Sequence, residues 1–286
     1  MSLRAAVLGH PIGHSKSPVL HRAAYARLGA DIAYTAIDVT EELLPGFMRQ
    51  VRHQSGWRGL SVTMPLKTAM LAHVDEVRGI ARTLGVVNTV TFEGEGDAAR
   101  AVGSNTDVAG IVNALRHAGT GDTPSAVILG GGGTAASAVA ALKELGAGSV
   151  RVHVRDPART GDVRAAADSL GVNVDIRPLT EAARPAAGAD VVISTLPPRA
   201  ADGLASEIAA LKTRTPGVLL DVAYDPWPSL IASVWQAAGG TVVPGLEMLL
   251  YQAVEQVRLF TRRGGDVNAA VIDVMCASVG LPRRAL

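Results

Sequence analysis

The sequence predicts an α/β protein with two domains, one of which contains a doubly wound parallel sheet. The chain has 286 residues, which is more than a single domain usually contains. Apolar runs typical of buried strands alternate with Ala- and Leu-rich helical segments along its second half. A run of glycines at residues 130–133 joins one such strand to one such helix. This alternation is the pattern from which doubly wound sheets are built.

The chain begins with a predicted strand at residues 5–8 and a polar loop at residues 9–18. A helix should follow, with Ser17 as its N-cap, Pro18 at its first position and Gly29 at its end. Apolar and β-branched runs predict four more strands in this part of the chain. They lie at residues 34–39, 59–63, 86–92 and 99–102. The last two should form a hairpin around residues 94–97.

The next segment predicts the boundary between the domains. Apolar residues recur at helical spacing after Asp107, and Gly119 ends this predicted helix. We place the boundary near Ser104. The first domain should comprise residues 1–104, completed by residues 244–286.

Residues 105–243 should form the second domain. Its strand signals lie at residues 126–129, 149–154, 172–176, 190–194, 218–222 and 241–243. Two helices follow at about residues 247–262 and 268–278. They lie outside the strand–helix alternation, and we expect them to return to the first domain.

The glycine-rich turn predicts a dinucleotide site. Gly130, Gly132 and Ala135 fit the pattern G-x-G-x-x-A, in which small residues allow a tight turn, a close approach to a pyrophosphate and packing of the helix on its strand. The free amides at the helix start would face the phosphates. The expected contacts are Gly130, Gly131, Gly132, Gly133, Thr134 and Ala135.

Composition restricts the other partners. The chain has 27 basic and 26 acidic residues, so no net field would attract nucleic acid or an anionic membrane. No stretch approaches about 18 uninterrupted apolar residues. Cys276 is the only cysteine, which excludes an internal disulfide, and its apolar surroundings predict a buried thiol. We expect a cytoplasmic protein with a small-molecule partner. Its oligomeric state stays open, with a homodimer among the alternatives.

Two residues offer acid–base chemistry. A helix is predicted to begin at Pro65, which would place Lys67 in a first turn, where the helix dipole disfavours a cation. A lysine held there is suited to proton transfer, although a solvated surface lysine is an equal alternative. Asp107 also falls in a first turn, where the dipole favours an acid for structural reasons alone. Together they could move the proton of an alcohol while a nicotinamide handles the hydride.

The sequence gives little support for a metal site or for a serine hydrolase. His10, His14 and His21 match no standard zinc spacing, and no cysteine accompanies them, so we expect no metal site. Ser15 follows His14, but the sequence contains no G-x-S-x-G motif, which argues against a hydrolase of that type.

The ordered motifs of the whole chain resemble those of the shikimate dehydrogenase family. Residues 9–18 resemble its substrate loop, and residues 61–67 resemble its N-V-T-x-P-x-K motif. Four further segments resemble A-V-N-T, G-x-N-T-D, D-V-x-Y-x-P and G-x-x-M-L-x-x-Q. They lie at residues 86–89, 103–107, 221–226 and 245–252.

The resemblance implies a role for each matching residue. Lys67 and Asp107 would be the catalytic pair. Residues in contact with the substrate would be Ser15, Ser17, Thr63, Asn88, Tyr224 and Gln252. Residues outside the glycine turn that line the cofactor site would be Thr195, Leu196, Val222, Gly245 and Met248.

Three departures from the family pattern concern the substrate cleft, the core and the cofactor. Ser61 stands where asparagine is usual, which would alter one contact in the cleft. Phe260 stands where tryptophan is frequent, with consequences expected only for packing. Val154-Arg155-Asp156 replaces N-R-T, whose arginine meets the 2′-phosphate of NADP.

The third departure bears on the choice between NADP and NAD. Arg155 and Arg159 favour NADP, whereas Asp156 would repel a phosphate unless, with Pro157, it only starts a helix. An acid that reads the ribose of NAD usually ends the strand itself, and Val154 holds that position. NADP is therefore the expected cofactor, with NAD as the alternative.

The resemblance implies an NADP-dependent enzyme that interconverts 3-dehydroshikimate and shikimate in aromatic amino-acid biosynthesis, with the substrate between the domains. An NAD-dependent quinate or quinate/shikimate dehydrogenase is the nearest alternative. A non-catalytic dinucleotide-sensing module is a more distant one, and the presence of both Lys67 and Asp107 argues against it.

Overall fold

A computed structural model describes residues 3–94, 99–158 and 160–284 of the chain. Contacts divide it into two compact units. Unit 1 comprises Met1–Thr106 and Leu249–Leu286, and unit 2 comprises Asp107–Met248. Each unit contains one six-stranded sheet. No helix among the described residues is both long and apolar enough to cross a membrane.

The sheet of unit 1 is mixed. Its strands in chain order are β1 (Leu3–Gly9), β2 (Ile32–Asp38), β3 (Trp57–Val62), β4 (Glu76–Val77), β5 (Thr89–Glu93) and β6 (Arg100–Ser104). They lie side by side in the order β2-β1-β3-β5-β6-β4. β5 runs antiparallel to both β3 and β6, whereas the other pairs are parallel. The carboxyl ends of β1, β3 and β6 therefore share an edge with the start of β5.

Helices cover both faces of this sheet. They are α1 (Ser17–Leu28), α2 (Leu44–Arg52), α3 (Ile80–Leu84), a 3₁₀ turn at Ala69–His73, and, from the end of the chain, most of α10 (Gly245–Thr261) and α11 (Ala269–Ser278). One core contains apolar side chains of α1, α10 and α11, including the buried Cys276. The other contains Leu44 and Met48 of α2. Because α10 and α11 complete the first core, unit 1 needs both ends of the chain.

Phe260 occupies the first of these cores and is fully buried. A methyl group added to Gly59 of β3 would lie within 2.1 Å of its ring. The ring therefore packs directly on the strand, a packing role like the one expected from the sequence.

Unit 2 is the doubly wound sheet that the sequence predicts. Its strands are β7 (Ala126–Leu129), β8 (Ser149–Val154), β9 (Asn173–Pro178), β10 (Val191–Ser194), β11 (Val218–Asp221) and β12 (Thr241–Pro244). They lie in the order β12-β11-β10-β7-β8-β9, and every neighbouring pair is parallel. The order reverses direction between β7 and β10, which is the switch point where ligands bind in sheets of this kind.

Among the described residues, six α-helices belong to unit 2 over their whole length. They are α4 (Asp107–His117), α5 (Gly133–Glu144), α6 (Gly161–Leu170), α7 (Ala183–Ala187), α8 (Asp202–Ala210) and α9 (Leu230–Ala237). One core joins α7, α8 and α9 to side chains such as Val127 and Leu129 of β7. Ala126 and Ile128, which alternate with these residues along β7, are also buried. The helices α4, α5 and α6 pack side by side. Strands buried on both faces explain the unbroken apolar runs of the sequence.

Three local predictions were wrong. Ser17 does not cap α1: Lys16 holds the N-cap position without a side-chain hydrogen bond, and Ser15 Oγ accepts the Ser17 N–H at 3.3 Å. Asp156 and Pro157 do not begin a helix, because α6 starts at Gly161. Asp156 Oδ1 instead accepts the Ala158 N–H at 2.9 Å in a local turn.

The third error concerns the helix expected from Pro65. Turns occupy residues 64–68, and the 3₁₀ turn begins only at Ala69. A helix would require the Lys67 carbonyl to accept a bond from Leu71. That carbonyl accepts the Val87 N–H at 3.0 Å, and the Leu71 N–H donates to Thr68 O. The Val87 N–H therefore bonds the carbonyl that a helix would use, and Lys67 lies in a turn.

Candidate active site

Most predicted substrate contacts of unit 1 lie at the edge that β1, β3, β5 and β6 share. The loop after β1 carries Ser15 and Ser17, and the turn after β3 carries Thr63 and Lys67. Asn88 immediately precedes β5. The strands thus bring together residues that are far apart in the sequence.

Backbone bonds hold these two loops against each other. The Thr63 N–H donates to Leu8 O at 2.8 Å, and the His10 N–H donates to Met64 O at 3.1 Å. A methyl group on Gly9 would lie 2.4 Å from Thr63 Cγ2, so the backbone of β1 passes directly beside the Thr63 side chain. This close approach gives Gly9 a structural reason to be glycine.

The first loop is held by charge and by local turns. His10 Nδ1 lies 2.7 Å from Asp38 Oδ1, and the Ile12 N–H donates to Asp38 Oδ2 at 3.2 Å. The hydrogen bond with His10 holds the pKa of Asp38 below its usual value. His21, at the other end of the loop region, is buried, and burial lowers its pKa to about 4. It is therefore a neutral core residue at physiological pH.

Asn88 is the most constrained of the candidates and is 1% exposed. Its Oδ1 accepts the Thr106 N–H at 2.7 Å and the Thr89 hydroxyl at 2.8 Å. Its Nδ2 donates to Thr106 Oγ1 at 2.9 Å and reaches Gln252 Oε1 at 3.5 Å. A backbone N–H can only donate, so Oδ1 and Nδ2 of Asn88 cannot exchange places. Gln252, on α10, thus joins the same edge as the loops.

The residues behind this edge were not predicted from the sequence. Ser61, noted from the sequence only as a departure from the family pattern, is buried and bonds both Tyr34 and Gln256. The apolar pattern of residues 34–39 predicted a strand that contains Tyr34, but it did not predict a hydrogen-bond partner for the Tyr34 hydroxyl. Gln256 follows Gln252 by one helical turn, and that spacing is the signal that could have identified it.

Asp107 is the first residue of α4 and belongs to unit 2. The residue is 3% exposed. It lies in the first turn of the helix, as predicted, where the dipole stabilises a negative charge. In the chain it directly follows Thr106, whose N–H holds Asn88.

The glycine turn of unit 2 has the geometry that a dinucleotide site needs. Gly130 has φ +114°, and a methyl group there would lie 2.3 Å from Thr195 Oγ1. Gly132 precedes α5 in an extended conformation, and a methyl group there would meet no atom within 4 Å. The space above Gly132 is therefore open to a ligand at the start of the helix. Ala135 is fully buried, as the third small position of the motif requires.

The other predicted cofactor residues lie at the carboxyl ends of neighbouring strands. Thr195 follows β10, and its N–H and hydroxyl donate to Leu129 O at 2.8 and 3.0 Å. Leu196 is buried beside it. The Val222 N–H donates to Ser194 O at 2.9 Å. These bonds tie the ends of β10 and β11 to the strand that carries the glycine turn.

Gly245 and Met248 lie in the first turn of α10, directly after β12. A methyl group on Gly245 would lie 2.1 Å from Val222 O, so the helix starts in contact with the end of β11. Met248 is buried. Arg155 directly follows β8 and is exposed, whereas Arg159 lies outside the described residues.

Asp221 holds the loop that carries Tyr224. Its Oδ2 accepts the Ser229 hydroxyl at 2.6 Å, and its Oδ1 accepts the Ala223 N–H at 3.4 Å. Ser229 Oγ in turn accepts the Ala232 N–H and caps α9. Burial raises the pKa of Asp221, with the hydrogen bond from Ser229 opposing it. The carboxylate therefore fixes both ends of the loop between β11 and α9.

The stability of the wild type relative to Asp221→Asn should depend on pH. The folded-state pKa of Asp221 lies above its unfolded value, so the folded protein keeps a proton that the unfolded chain releases. Wild-type stability should therefore fall relative to the variant as the pH rises above about 4, then level off once Asp221 is ionised in the folded state. Urea unfolding across this range measures the difference.

Asp190→Asn is the control, because the contribution of Asp190 to stability should change with pH in the opposite direction. Hydrogen bonds from the Ser125 hydroxyl and N–H hold the pKa of Asp190 below its usual value. Its contribution to stability should be present above the unfolded pKa and lost as the pH falls through the folded one. A parallel pH dependence for the two variants would contradict the assignment for Asp221.

Comparison with known proteins gives two family matches. Residues 7–90 match the shikimate dehydrogenase substrate-binding domain. Residues 125–223 match the family described as NADP oxidoreductase, coenzyme F420-dependent. The first match covers the loops of unit 1, and the second covers the glycine turn of unit 2.

Whole-chain relatives agree with the first match. The shikimate dehydrogenase (NADP(+)) of Rubrobacter xylanophilus is 38% identical over 92% of this chain and 92% of its own. The crystal structure of shikimate 5-dehydrogenase from Thermus thermophilus, in complex with NADP(H) and shikimate, is 33% identical, with a TM-score of 0.78, and the match covers 96% of this chain and 99% of that chain.

A relative with another substrate has a similar fold. The quinate dehydrogenase of Corynebacterium glutamicum, solved in complex with NAD, is 26% identical, with a TM-score of 0.79 over 96% of this chain and 99% of that chain. Identity is higher to the Rubrobacter and Thermus shikimate dehydrogenases than to this enzyme. With its motifs, its two sheets and these relatives taken together, the chain belongs to the shikimate dehydrogenase family.

Proposed function

We propose that this protein is a shikimate dehydrogenase that interconverts shikimate and 3-dehydroshikimate with NADP as cofactor, in the cytoplasm. The observation that carries the proposal is the edge of the unit 1 sheet, where Ser15, Ser17, Thr63, Lys67, Asn88 and Gln252 come together. Hydroxyl, amide and ammonium groups suit a substrate with one carboxylate and several hydroxyls.

Each group has a distinct part in binding. Ser15 and Ser17 hold the substrate carboxylate, which the start of α1 favours through its dipole. Thr63 and Gln252 bond substrate hydroxyls. Asn88 Nδ2 donates to a hydroxyl, because its Oδ1 is already occupied by Thr106 and Thr89. Tyr224, on the loop that Asp221 fixes, is the substrate contact proposed for unit 2.

The proton of the reacting hydroxyl passes to Lys67. In the oxidation the carbon loses a hydride and the oxygen loses a proton, which leaves a carbonyl. Lys67 Nζ accepts the proton, and in the reverse direction it returns that proton to the carbonyl oxygen. Asp107 is the second residue of the proposed catalytic pair.

The cofactor is held by unit 2. Gly130 to Gly133 and the start of α5 bind the pyrophosphate, Arg155 meets the 2′-phosphate, and the ends of β10, β11 and β12 border the nicotinamide. When bound, the nicotinamide accepts or donates the hydride. Holding both reactants in fixed positions supplies much of the rate.

The test is a purified-protein assay with shikimate and quinate, each with NADP and NAD, followed by the absorbance of reduced nicotinamide. The highest kcat/KM is expected for shikimate with NADP. A higher value for quinate with NAD would make the protein a quinate dehydrogenase, the second candidate that the Corynebacterium relative favours. Cofactor binding without turnover of either substrate would contradict both.

Arg155→Ala should raise KM for NADP about tenfold or more while leaving KM for NAD within about twofold, because a guanidinium pairs strongly with a phosphate dianion. Steady-state kinetics with both cofactors measures the two values. Arg151→Ala is the matched control, since it removes the same charge from an exposed position in β8. Equal effects of Arg155→Ala on both cofactors would exclude recognition of the 2′-phosphate by this residue.

A further inference from the structure

A buried chain of hydrogen bonds lies behind the candidate substrate edge of unit 1. It joins Tyr34 of β2, Ser61 of β3 and Gln256 of α10, which are 1%, 4% and 1% exposed. The Tyr34 hydroxyl lies 2.6 Å from Ser61 Oγ, which lies 2.7 Å from Gln256 Oε1. Buried polar groups are costly unless paired, so three adjacent ones form a network that folds as a unit.

The direction of each bond follows from its fixed ends. Gln256 Nε2 lies 3.3 Å from the Asn88 carbonyl, which can only accept. Gln256 therefore presents Oε1 to Ser61, and the Ser61 hydroxyl must donate to it. Ser61 has no second proton, so the Tyr34 hydroxyl donates to Ser61. One arrangement of protons satisfies the whole chain.

The network ends on Asn88. Gln256 Nε2 also donates to Thr89 Oγ1 at 2.9 Å. The Thr89 hydroxyl then donates to Asn88 Oδ1 at 2.8 Å. This bond helps to turn Asn88 Nδ2 toward Thr106 and Gln252. Tyr34 is thus linked to the Asn88 amide through Ser61, Gln256 and Thr89.

The other end of the network reaches Ser17. Burial raises the pKa of Tyr34, and the hydrogen bond with Ser61 opposes that rise. His21 stacks on the Tyr34 ring at 4.0 Å, and its Nδ1 bonds Ser17 O at 2.9 Å. The Tyr34 ring and the backbone of Ser17 are therefore held in one position.

We infer that Tyr34 is a positioning residue for substrate recognition. Its hydroxyl is linked to the Asn88 amide through Ser61, Gln256 and Thr89, and its ring stacks on His21, which bonds the Ser17 backbone. This inference rests on the proposed function. Ser61 is the position where this chain departs from the family's asparagine, and its short side chain leaves the space that the Tyr34 hydroxyl occupies beside Gln256. Two candidate contacts, Ser17 and Asn88, are thereby both linked to one buried residue.

Tyr34→Phe should raise KM for shikimate about five- to tenfold, the effect of losing one buried hydrogen bond. KM for NADP should stay within about twofold, and kcat should change less than KM for shikimate, because the reacting groups are untouched. Tyr25→Phe is the matched control. Tyr25 is equally buried in the same aromatic cluster, but its hydroxyl has no hydrogen-bond partner among the described residues. That variant should leave every kinetic constant unchanged.

Two measurements keep this inference separate from the proposed function. Wild-type turnover is measured first, and its absence contradicts the proposed function alone. The network is then tested by urea unfolding of Tyr34→Phe, Gln256→Leu and the double variant, whose free-energy changes should not add, because either change breaks the same chain. Tyr25→Phe and Gln256→Leu should add. Additive losses for Tyr34 and Gln256, or an active wild type whose KM for shikimate survives Tyr34→Phe, would overturn the inference.

Discussion

Lys67→Met is expected to lower kcat about 10³-fold, within the range that a positioned acid or base contributes. Methionine keeps the length and apolar stem of the side chain and removes only the ammonium group. KM for shikimate should rise much less than kcat falls, because the proton transfer is needed only in the transition state. Steady-state kinetics gives both constants, and a thermal melt checks that the variant folds.

Lys67→Arg separates proton transfer from charge. Arginine keeps the positive charge but stays protonated at any relevant pH, so it cannot accept the proton. Its KM should lie near the wild-type value while kcat stays as low as in Lys67→Met. Recovery of kcat by arginine would show that Lys67 acts through its charge alone and would remove it from the proton transfer.

Gly132→Ala should raise KM for NADP at least about tenfold without lowering stability. The backbone of Gly132 has φ −93° and ψ −168°, a conformation that alanine adopts freely. Its methyl group would meet no protein atom, so it would stand in the space above the turn where the pyrophosphate approaches. Kinetics with varied NADP and urea unfolding test the two halves of this prediction.

Gly130→Ala is the companion variant. Unlike Gly132→Ala, it should lower the stability of the protein. At φ +114° the backbone alone costs alanine about 1–3 kcal/mol. The methyl group would also collide with Thr195 Oγ1, which bonds Leu129 O. Stability should therefore fall in this variant. If Gly132→Ala were the destabilised one and kept its KM for NADP, the turn would not bind a pyrophosphate in the proposed way.

The sequence predicted unit 2 almost completely, because its signals are local. Strands such as residues 126–129 are buried on both faces and read as unbroken apolar runs. The glycine turn sits where a strand must change into a helix, and the predicted parallel sheet was confirmed. These features need no knowledge of distant residues.

Predictions failed where a distant or competing group takes a bond that local rules assign. The Lys67 carbonyl bonds Val87 instead of continuing a helix from Pro65. Ser15, not Ser17, provides the side-chain oxygen at the start of α1. Asp156 closes a turn with Ala158, and α6 begins later. Local propensity is a weak guide wherever such a competitor is present.

By itself, the sequence determined most strands of both units, the doubly wound sheet, the glycine turn and the motifs that mark the family. Only the tertiary structure decided which of the motif residues meet. It placed the ends of β1, β3 and β6 and the start of β5 at one edge, and it set Asn88 against Gln252 across 164 residues of chain. It also showed Tyr34, Ser61 and Gln256 as one buried network. Strand order and hydrogen-bond direction decide these contacts, and neither can be predicted from the spacing of residues along the chain.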